Sequence, residues 1–175
     1  MNYFEFFDIP VSYQVDLQLL RNRYFENSRK YHPDFFTLDD PVRQTEMLQL
    51  AAFNNKAYKV LLDPDQRLKY LLDLHEILTE EGKNEVPHDF LAAMMDYNES
   101  LVELEIEPSP DKEKELHDDL VTLQNNLDQS VAHILSSRET MSWSDSDWSV
   151  LRDYYLKKRY LRRFGANLRE LRQQS

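Results

Sequence analysis

Apolar residues return at helical spacing along most of the chain. Leu17, Leu20, Tyr24 and Tyr31 share one face of a segment that Pro33 must stop, since proline has no amide to donate. A helix is therefore predicted from about Asp16 to Lys30. After a polar loop reaching Pro41, the positions Met47, Ala51, Asn54, Tyr58 and Leu61 repeat at 4-3-4-3 spacing until Asp63-Pro64 ends the run. Asn54 is the polar exception on that stripe, and nothing beside it in sequence accounts for it. Two helices joined by a loop of roughly ten residues should pair antiparallel.

Farther along, Ser109-Pro110 reads as a cap with proline at the first helical position, and Leu116, Leu120, Leu123, Leu127 and Ile134 then mark a seam. Another seam runs through Val150, Tyr154, Leu161, Phe164, Leu168 and Leu171, after a turn around Ser144-Asp145. Between the hairpin and these seams a helix is predicted from about His88 to Ile106, with more apolar surface than one contact needs. At about 100° per residue, Phe90, Met94, Tyr97, Leu101 and Leu104 form one stripe, whereas Leu91, Met95 and Val102 form another about 120° away. Glu99 and Glu103 border the second stripe, with Asp96 just beyond. Tyr160, about 100° off the Leu161 seam, is placed to complete it from a neighbouring helix. Either this stripe is an exposed partner site with an acidic rim, or helices on two sides of a three-helix bundle bury both stripes. The expected fold is all-α. It comprises a helical hairpin over residues 1–75, a linker at 76–86 rich in polar residues around Gly82, and a three-helix bundle over 87–175.

Composition narrows the chemistry. The 175 residues can bury a substantial core, and 41% are hydrophobic. There is no cysteine, which excludes a disulfide framework, a thiolate nucleophile and any zinc or iron–sulfur centre held by this chain's own thiolates. With only Gly82 and Gly165, glycine-rich phosphate loops and hairpin turns are missing, so neither nucleotide binding nor a β-rich fold is expected. Charges interrupt every apolar run within a few residues, and Asn2-Tyr3-Phe4-Glu5 resembles no secretory signal. No membrane role is expected. Residues 1–75 carry 9 basic and 11 acidic groups, residues 76–150 carry 4 and 19, and residues 151–175 carry 8 and 2. The net charge of −11 opposes a nucleic-acid role, and the basic last segment suits neutralisation of acidic packing partners.

Few residues offer reaction chemistry. Five histidines raise the question of a metal, yet there is no H-E-x-x-H, and the one E-x-x-H string, Glu85 to His88, contains Pro87. A di-iron carboxylate bundle would need that motif on two helices, so a di-iron oxidoreductase is the weaker alternative, and no metal, cofactor or catalytic residue is expected. Trp143, Trp148 and the tyrosines lack an interleaved basic stripe and read as packing. The most informative string is Tyr31-His32-Pro33-Asp34, after a helix bearing Arg21, Arg23, Arg29 and Lys30. Taken alone it could be a helix stop. As a docking element it is chemically sensible, because Pro33 stiffens it, Asp34 offers a carboxylate to an arginine and His32 can donate or accept.

That tripeptide lies between two paired helices, the second running into Ala57-Tyr58-Lys59-Val60-Leu61-Leu62-Asp63-Pro64 and then Arg67-Leu68-Lys69-Tyr70. With the opening Asn2-Tyr3-Phe4-Glu5-Phe6-Phe7, these segments resemble the J-domain of DnaJ-type co-chaperones. Tyr70-Leu71-Leu72-Asp73-Leu74-His75 continues apolar and an acidic helical module follows, so the whole chain resembles the HscB family of iron–sulfur cluster assembly co-chaperones. The resemblance implies a non-enzymatic protein that stimulates a dedicated DnaK-like chaperone ATPase of the HscA type. It also implies a client, an iron–sulfur scaffold of the IscU type, or another client held by the same architecture. His32, Pro33, Asp34, Arg21, Arg29 and Lys30 would meet the chaperone. Leu91, Ala92, Met95, Asp96, Glu99, Glu103 and Tyr160 would hold the scaffold. Phe25 and Glu26 depart from a helix face often basic in J-domains, and Ala92 replaces a larger apolar side chain. Some mitochondrial relatives carry an N-terminal cysteine module, whereas this chain starts directly on the J-type segment, so a bacterial cytoplasmic protein is expected.

Overall fold

Among the described residues there are eight α-helices and no strand. The computed structural model describes residues 1–78, 85–137 and 140–174, and of these the side chains of all but 141 and 172–174. Residues 79–84 of the expected linker lie outside them. Contacts divide the chain into two units, one of Met1–Leu74 with Ser136–Ser142, the other of His75–Leu135 with Trp143–Ser175. The sequence reading assigns Ser136–Ser142 to the bundle. It groups instead with the first unit, where the Thr140 hydroxyl donates to the Val11 carbonyl at 3.0 Å.

In the first unit, a short polar side chain sets the start of each helix. Asn2 and Glu5 form a reciprocal cap on α1 (Tyr3–Phe6). Asp16 accepts from the amides of Gln18 and Leu19 at the start of α2 (Leu17–Lys30), and Asp40 does the same for Val42 and Arg43 on α3 (Pro41–Leu62). Asp63, which ends α3, accepts from Asp65 and Gln66 and so starts α4 (Pro64–Leu74). Each of these bonds satisfies an amide that the first helical turn leaves without a partner. The contacts Tyr24–Tyr58, Tyr24–Asn55 and Ser28–Asn54 run in opposite directions along α2 and α3, so the pair is antiparallel. Phe4, Phe7, Leu20, Met47, Ala57, Leu61, Leu68, Leu71 and Leu72 form the core. Leu17, expected on the buried face, sits at the exposed first turn of α2 and is 49% accessible.

Two buried polar side chains tie this unit together. Asn54 is 1% exposed, and its amide donates to the Tyr24 carbonyl at 3.2 Å and to the Ser28 hydroxyl at 3.0 Å. That cross-helix bridge is the reason for the polar exception on the α3 stripe. Arg67 is also buried and donates to the carbonyls of Leu61 (2.7 Å), Tyr13 (2.6 Å) and Leu62 (3.2 Å). Two of these lie in the last turn of α3, whose carbonyls have no partner of their own within the helix. Tyr70 stacks on Tyr3 and accepts from its amide at 2.9 Å, fastening α1 to α4.

The second unit is a bundle whose first member is broken. The helix expected over His88–Ile106 is two, α5 (His88–Ala93) and α6 (Met95–Ile106). At the break the Met94 amide is shared between the carbonyls of Phe90 (3.0 Å) and Leu91 (3.2 Å), which tightens the last turn of α5. Met94 itself is fully buried there, 1% exposed. The helices α7 (Pro110–Leu135) and α8 (Asp145–Gln174) run antiparallel, as the Asp128–Tyr154 and Leu120–Gly165 approaches require. A Cβ on Gly165 would come within 3.0 Å of the Leu120 side chain, so glycine permits the close crossing. Leu101, Leu104, Leu116, Leu120, Leu161, Phe164 and Leu168 fill the core with Met94. Val150, expected in the α8 seam, is 43% exposed, and its neighbour Leu151 is buried in its place. Trp143 and Trp148 are buried edge to face, and the Trp143 indole donates to the Ile134 carbonyl. Basic α8 does meet an acid: Lys158 pairs with Asp128 at 3.2 Å, and both bond the Tyr154 hydroxyl. Burial, reinforced by the Asp128 carboxylate, pushes the Tyr154 phenol up to about 12.

Candidate interaction sites

The first site is the turn after α2. Tyr31 caps that helix, and Pro33–Phe36 form a single 3₁₀ turn for which His32 is the cap. The His32 Nδ1 accepts from the Asp34 amide at 3.3 Å, and the Phe35 amide donates to the His32 carbonyl at 3.1 Å. Gln44 on α3 donates to the carbonyls of Thr37 and Asp39, which anchors the far side of the turn. Backbone and side-chain bonds thus hold the turn while the chemically active ends stay in solvent. The Asp34 side chain is 83% accessible and has no lysine or arginine partner among the described residues. A cleft between α2 and α3, lined by His32, Pro33, Ser28, Leu48 and Asn54, opens beside it.

The basic residues assigned to this site do not form one patch. Arg21, Phe25 and Arg29 follow at intervals of four, within about 80° on the helix, whereas Lys30 points about 100° away from Arg29. The Arg21 guanidinium lies over the Phe25 ring at 5.7 Å, and the Lys30 ammonium lies over Tyr31 at 5.2 Å. Arg23 is instead bound within the fold to Asp8 (3.0 Å) and Glu26 (3.3 Å). Two apolar side chains were missed by the sequence reasoning: Phe35, 72% exposed, follows the tripeptide within the turn, and Leu38, 99% exposed, lies two residues past the end of the turn. They lie outside any periodic segment, so only the 3₁₀ turn reveals where they go.

The second site lies on α5 and α6. The Phe90, Met94, Tyr97, Leu101 and Leu104 stripe packs into the bundle, and the other stripe does not: Leu91 is 38%, Met95 59% and Val102 53% exposed. Of the two arrangements open from sequence, burial of both stripes is the one the structure overturns. Exposed Ile106 extends the free stripe, falling with Met95 and Val102 within about 40° on α6. Glu99, Glu103 and Asp96 lie about 40°, 80° and 100° round to one side, all exposed, as is Ala92 on α5. Beyond Asp96 and Glu103 a cleft leads to α7, where Lys112 pairs with Glu103 at 3.5 Å.

Tyr160 belongs to the opposite flank. It reaches over from α8, half-buried, with its ring edge to face with Phe90 at 5.7 Å and the Arg163 guanidinium over it at 5.5 Å. Asn98, on that flank of α6, donates to the Tyr160 hydroxyl at 2.9 Å and to the Met94 carbonyl at 2.6 Å. One amide therefore ties Tyr160 to the α5–α6 break. Asn98 was not singled out in the sequence, although an asparagine in a helix interior is a weak signal of a specific partner. Among the described residues no group of three or more histidine, aspartate and glutamate side chains converges as metal ligands, and no helix is long and apolar enough to cross a membrane.

Comparison with known proteins agrees with this arrangement of elements. A family model described as the HSCB C-terminal oligomerisation domain matches residues 86–169. A co-chaperone protein HscB homolog from Acinetobacter baylyi is 31% identical over 165 residues, covering 93% of this chain and 86% of the relative. One from Shewanella pealeana is 34% identical over 146 residues, covering 83% and 80%. Among solved structures, human co-chaperone protein HscB superposes with a TM-score of 0.74 at 28% identity, over 97% of this chain and 81% of that one. Chaperone HscB from Vibrio cholerae superposes at 0.73 over 99% of both chains, and at 24% identity it speaks for the fold alone. The class these relatives define is that of an all-α co-chaperone. Within it, the chain belongs to the HscB family.

Proposed function

We propose that this protein docks on a DnaK-like chaperone ATPase of the HscA type through His32, Pro33 and Asp34, and stimulates its hydrolysis. Arg21 and Arg29 steer the approach to an acidic partner face, and Lys30 adds to the same field from another side. The Leu91, Ala92, Met95 and Tyr160 face, with Asp96, Glu99 and Glu103 at its rim, holds an iron–sulfur scaffold of the IscU type and delivers it to the chaperone, in support of cluster assembly and transfer in a bacterial cytoplasm. The two tasks fall to separate segments, residues 1–75 and 87–175. The observation that carries the reading is a firmly bonded turn that leaves the Asp34 carboxylate exposed, near His32 at 3.8 Å but without a lysine or arginine partner among the described residues. Such a group is ready to accept from an arginine on another protein. No step of the chemistry is assigned to this chain: the turn works by binding the hydrolysis-competent conformation of the ATPase better than the other.

The test is the steady-state ATPase rate of purified HscA-type chaperone with the full chain, with and without scaffold. His32→Gln and Asp34→Asn should each abolish stimulation while melting temperature and helical circular dichroism stay within about the range of ordinary surface substitutions. Stimulation that survives both changes would sink the docking assignment.

A further inference from the structure

The flank of the apolar face opposite the carboxylates carries a hydrogen-bond donor of fixed direction. The Asn98 amide must point its nitrogen at the Met94 carbonyl, because the opposite amide orientation would set two oxygens 2.6 Å apart. That nitrogen also donates to the Tyr160 oxygen at 2.9 Å. A phenol whose oxygen is accepting from Asn98 must aim its own proton elsewhere. Among the described residues that proton meets no acceptor. Ring contacts with Phe90 and Arg163 hold the phenol in place, so the donor is presented at little cost in side-chain entropy.

We propose that Tyr160 is a specificity-determining residue of the client face, its hydroxyl donating to an acceptor oxygen, a main-chain carbonyl, on the bound segment, and that Asn98 is the positioning residue that aims it. This rests on the assignment of the face to client binding. The two flanks then read different things. Glu99, Glu103 and Asp96 favour cations on one edge of the bound segment, and Tyr160 takes an acceptor on the other. Apolar Leu91, Met95 and Val102 lie between. A segment laid across the face in reverse would set its acceptor against carboxylates and its cations beside Arg163, so the arrangement selects one direction of binding.

Calorimetry of the full chain with purified IscU-type scaffold tests this, with thermal unfolding confirming that each variant folds. Tyr160→Phe removes the donor and should weaken binding about three- to tenfold, the worth of one intermolecular hydrogen bond. Asn98→Ala removes the donor that aims the phenol and leaves the hydroxyl free to turn. It should weaken binding by the same factor, and the double variant should be no worse than either single one. A merely structural role for Asn98 predicts instead that Asn98→Ala weakens binding in the Tyr160→Phe background as much as it does in wild type. Equal affinity for wild type and Tyr160→Phe, or additive losses in the double variant, overturns the inference. Leu91→Ala with Met95→Ala separates the two failures. If that variant loses about tenfold or more while Tyr160→Phe loses nothing, the face stands and the oriented donor does not. If it binds unchanged, the face itself is wrong and the inference falls with it.

Discussion

The two units hold their shape by opposite means. In the first, buried polar side chains reach main-chain carbonyls across the fold: Arg67 bonds three, and Asn54 joins α3 to α2 beside the exposed turn. In the second, the seam of α6, α7 and α8 is an apolar cluster, and polar contacts, the Trp143 indole on the Ile134 carbonyl and Tyr154 with Asp128 and Lys158, lie outside that cluster. The difference suits what each unit presents. A four-residue turn keeps its geometry only if two helix ends are fixed in register, and directional bonds do that. An apolar stripe is spread over regular helix surface and tolerates small shifts, so non-directional burial is sufficient.

The largest effect that should expose this contrast is Arg67→Ala. Three carbonyls lose their donor in an apolar setting, and the unit should lose about 3–5 kcal/mol. Arg67→Lys should rescue little, because an ammonium cannot span the fork that reaches Leu61, Leu62 and Tyr13 at once. Both tryptophans lie in the second unit, so their fluorescence follows that unit while circular dichroism at 222 nm follows all the helices. In Arg67→Ala a new early transition should appear by circular dichroism and be silent in fluorescence. If both signals move together by the same amount, the contrast between the units does not describe how they unfold.

Asn54 gives a smaller and sharper comparison. Its amide nitrogen makes two bonds while its Oδ1 is buried without a partner, so Asn54→Leu, which keeps the volume, loses both bonds and one unsatisfied acceptor and should change the stability of the first unit by no more than about 1 kcal/mol. If directional bonding is what sets the register of α2 on α3, stimulation of the chaperone ATPase should nevertheless fall. A variant that keeps its stability and full stimulation would show that the turn needs no such bond.

These residues also show where sequence is legible. The stripe Met47 to Leu61 locates α3 because periodicity is local, and Asp16, Asp40 and Asp63 mark helix starts because a cap acts within three residues. The tripeptide and its neighbours Ala57 to Pro64 pointed to a hairpin and to a family for the same reason. Asn54 stayed unexplained because its partners, Tyr24 and Ser28, are distant in sequence. The break at Met94 carries no proline or glycine, and its visible marks are the doubly shared amide and the Asn98 side chain, both products of packing. Val150 and Leu151 differ by one position and are both apolar, so the phase of α8 near its start could be read either way. On α5 and α6 the second stripe was legible as a surplus of apolar surface, but whether that surplus was free depended on what α7 and α8 cover. Only tertiary structure decides that.

The smallest effect concerns the acidic rim, and it separates two carboxylates that look alike in sequence. Glu103 is paired with Lys112 across the cleft to α7 at 3.5 Å, whereas Glu99 has no ion-pair partner among the described residues. Both are exposed, so each acts on a client mainly through its long-range field, and a rim charge of this kind changes association rate and salt dependence more than dissociation. The field of Glu103 is already partly cancelled by Lys112. Glu99→Gln should therefore slow association with the scaffold more than Glu103→Gln, by up to about threefold at low salt, and should flatten the dependence on ionic strength. Lys112→Gln should act in the opposite sense, releasing Glu103 and speeding association. Stopped-flow rates across a salt series measure all three. Equal losses for the two glutamates, or a Lys112→Gln variant that slows binding, would place the working charge of the rim somewhere other than Glu99 and leave the cleft pair as the part that meets the client.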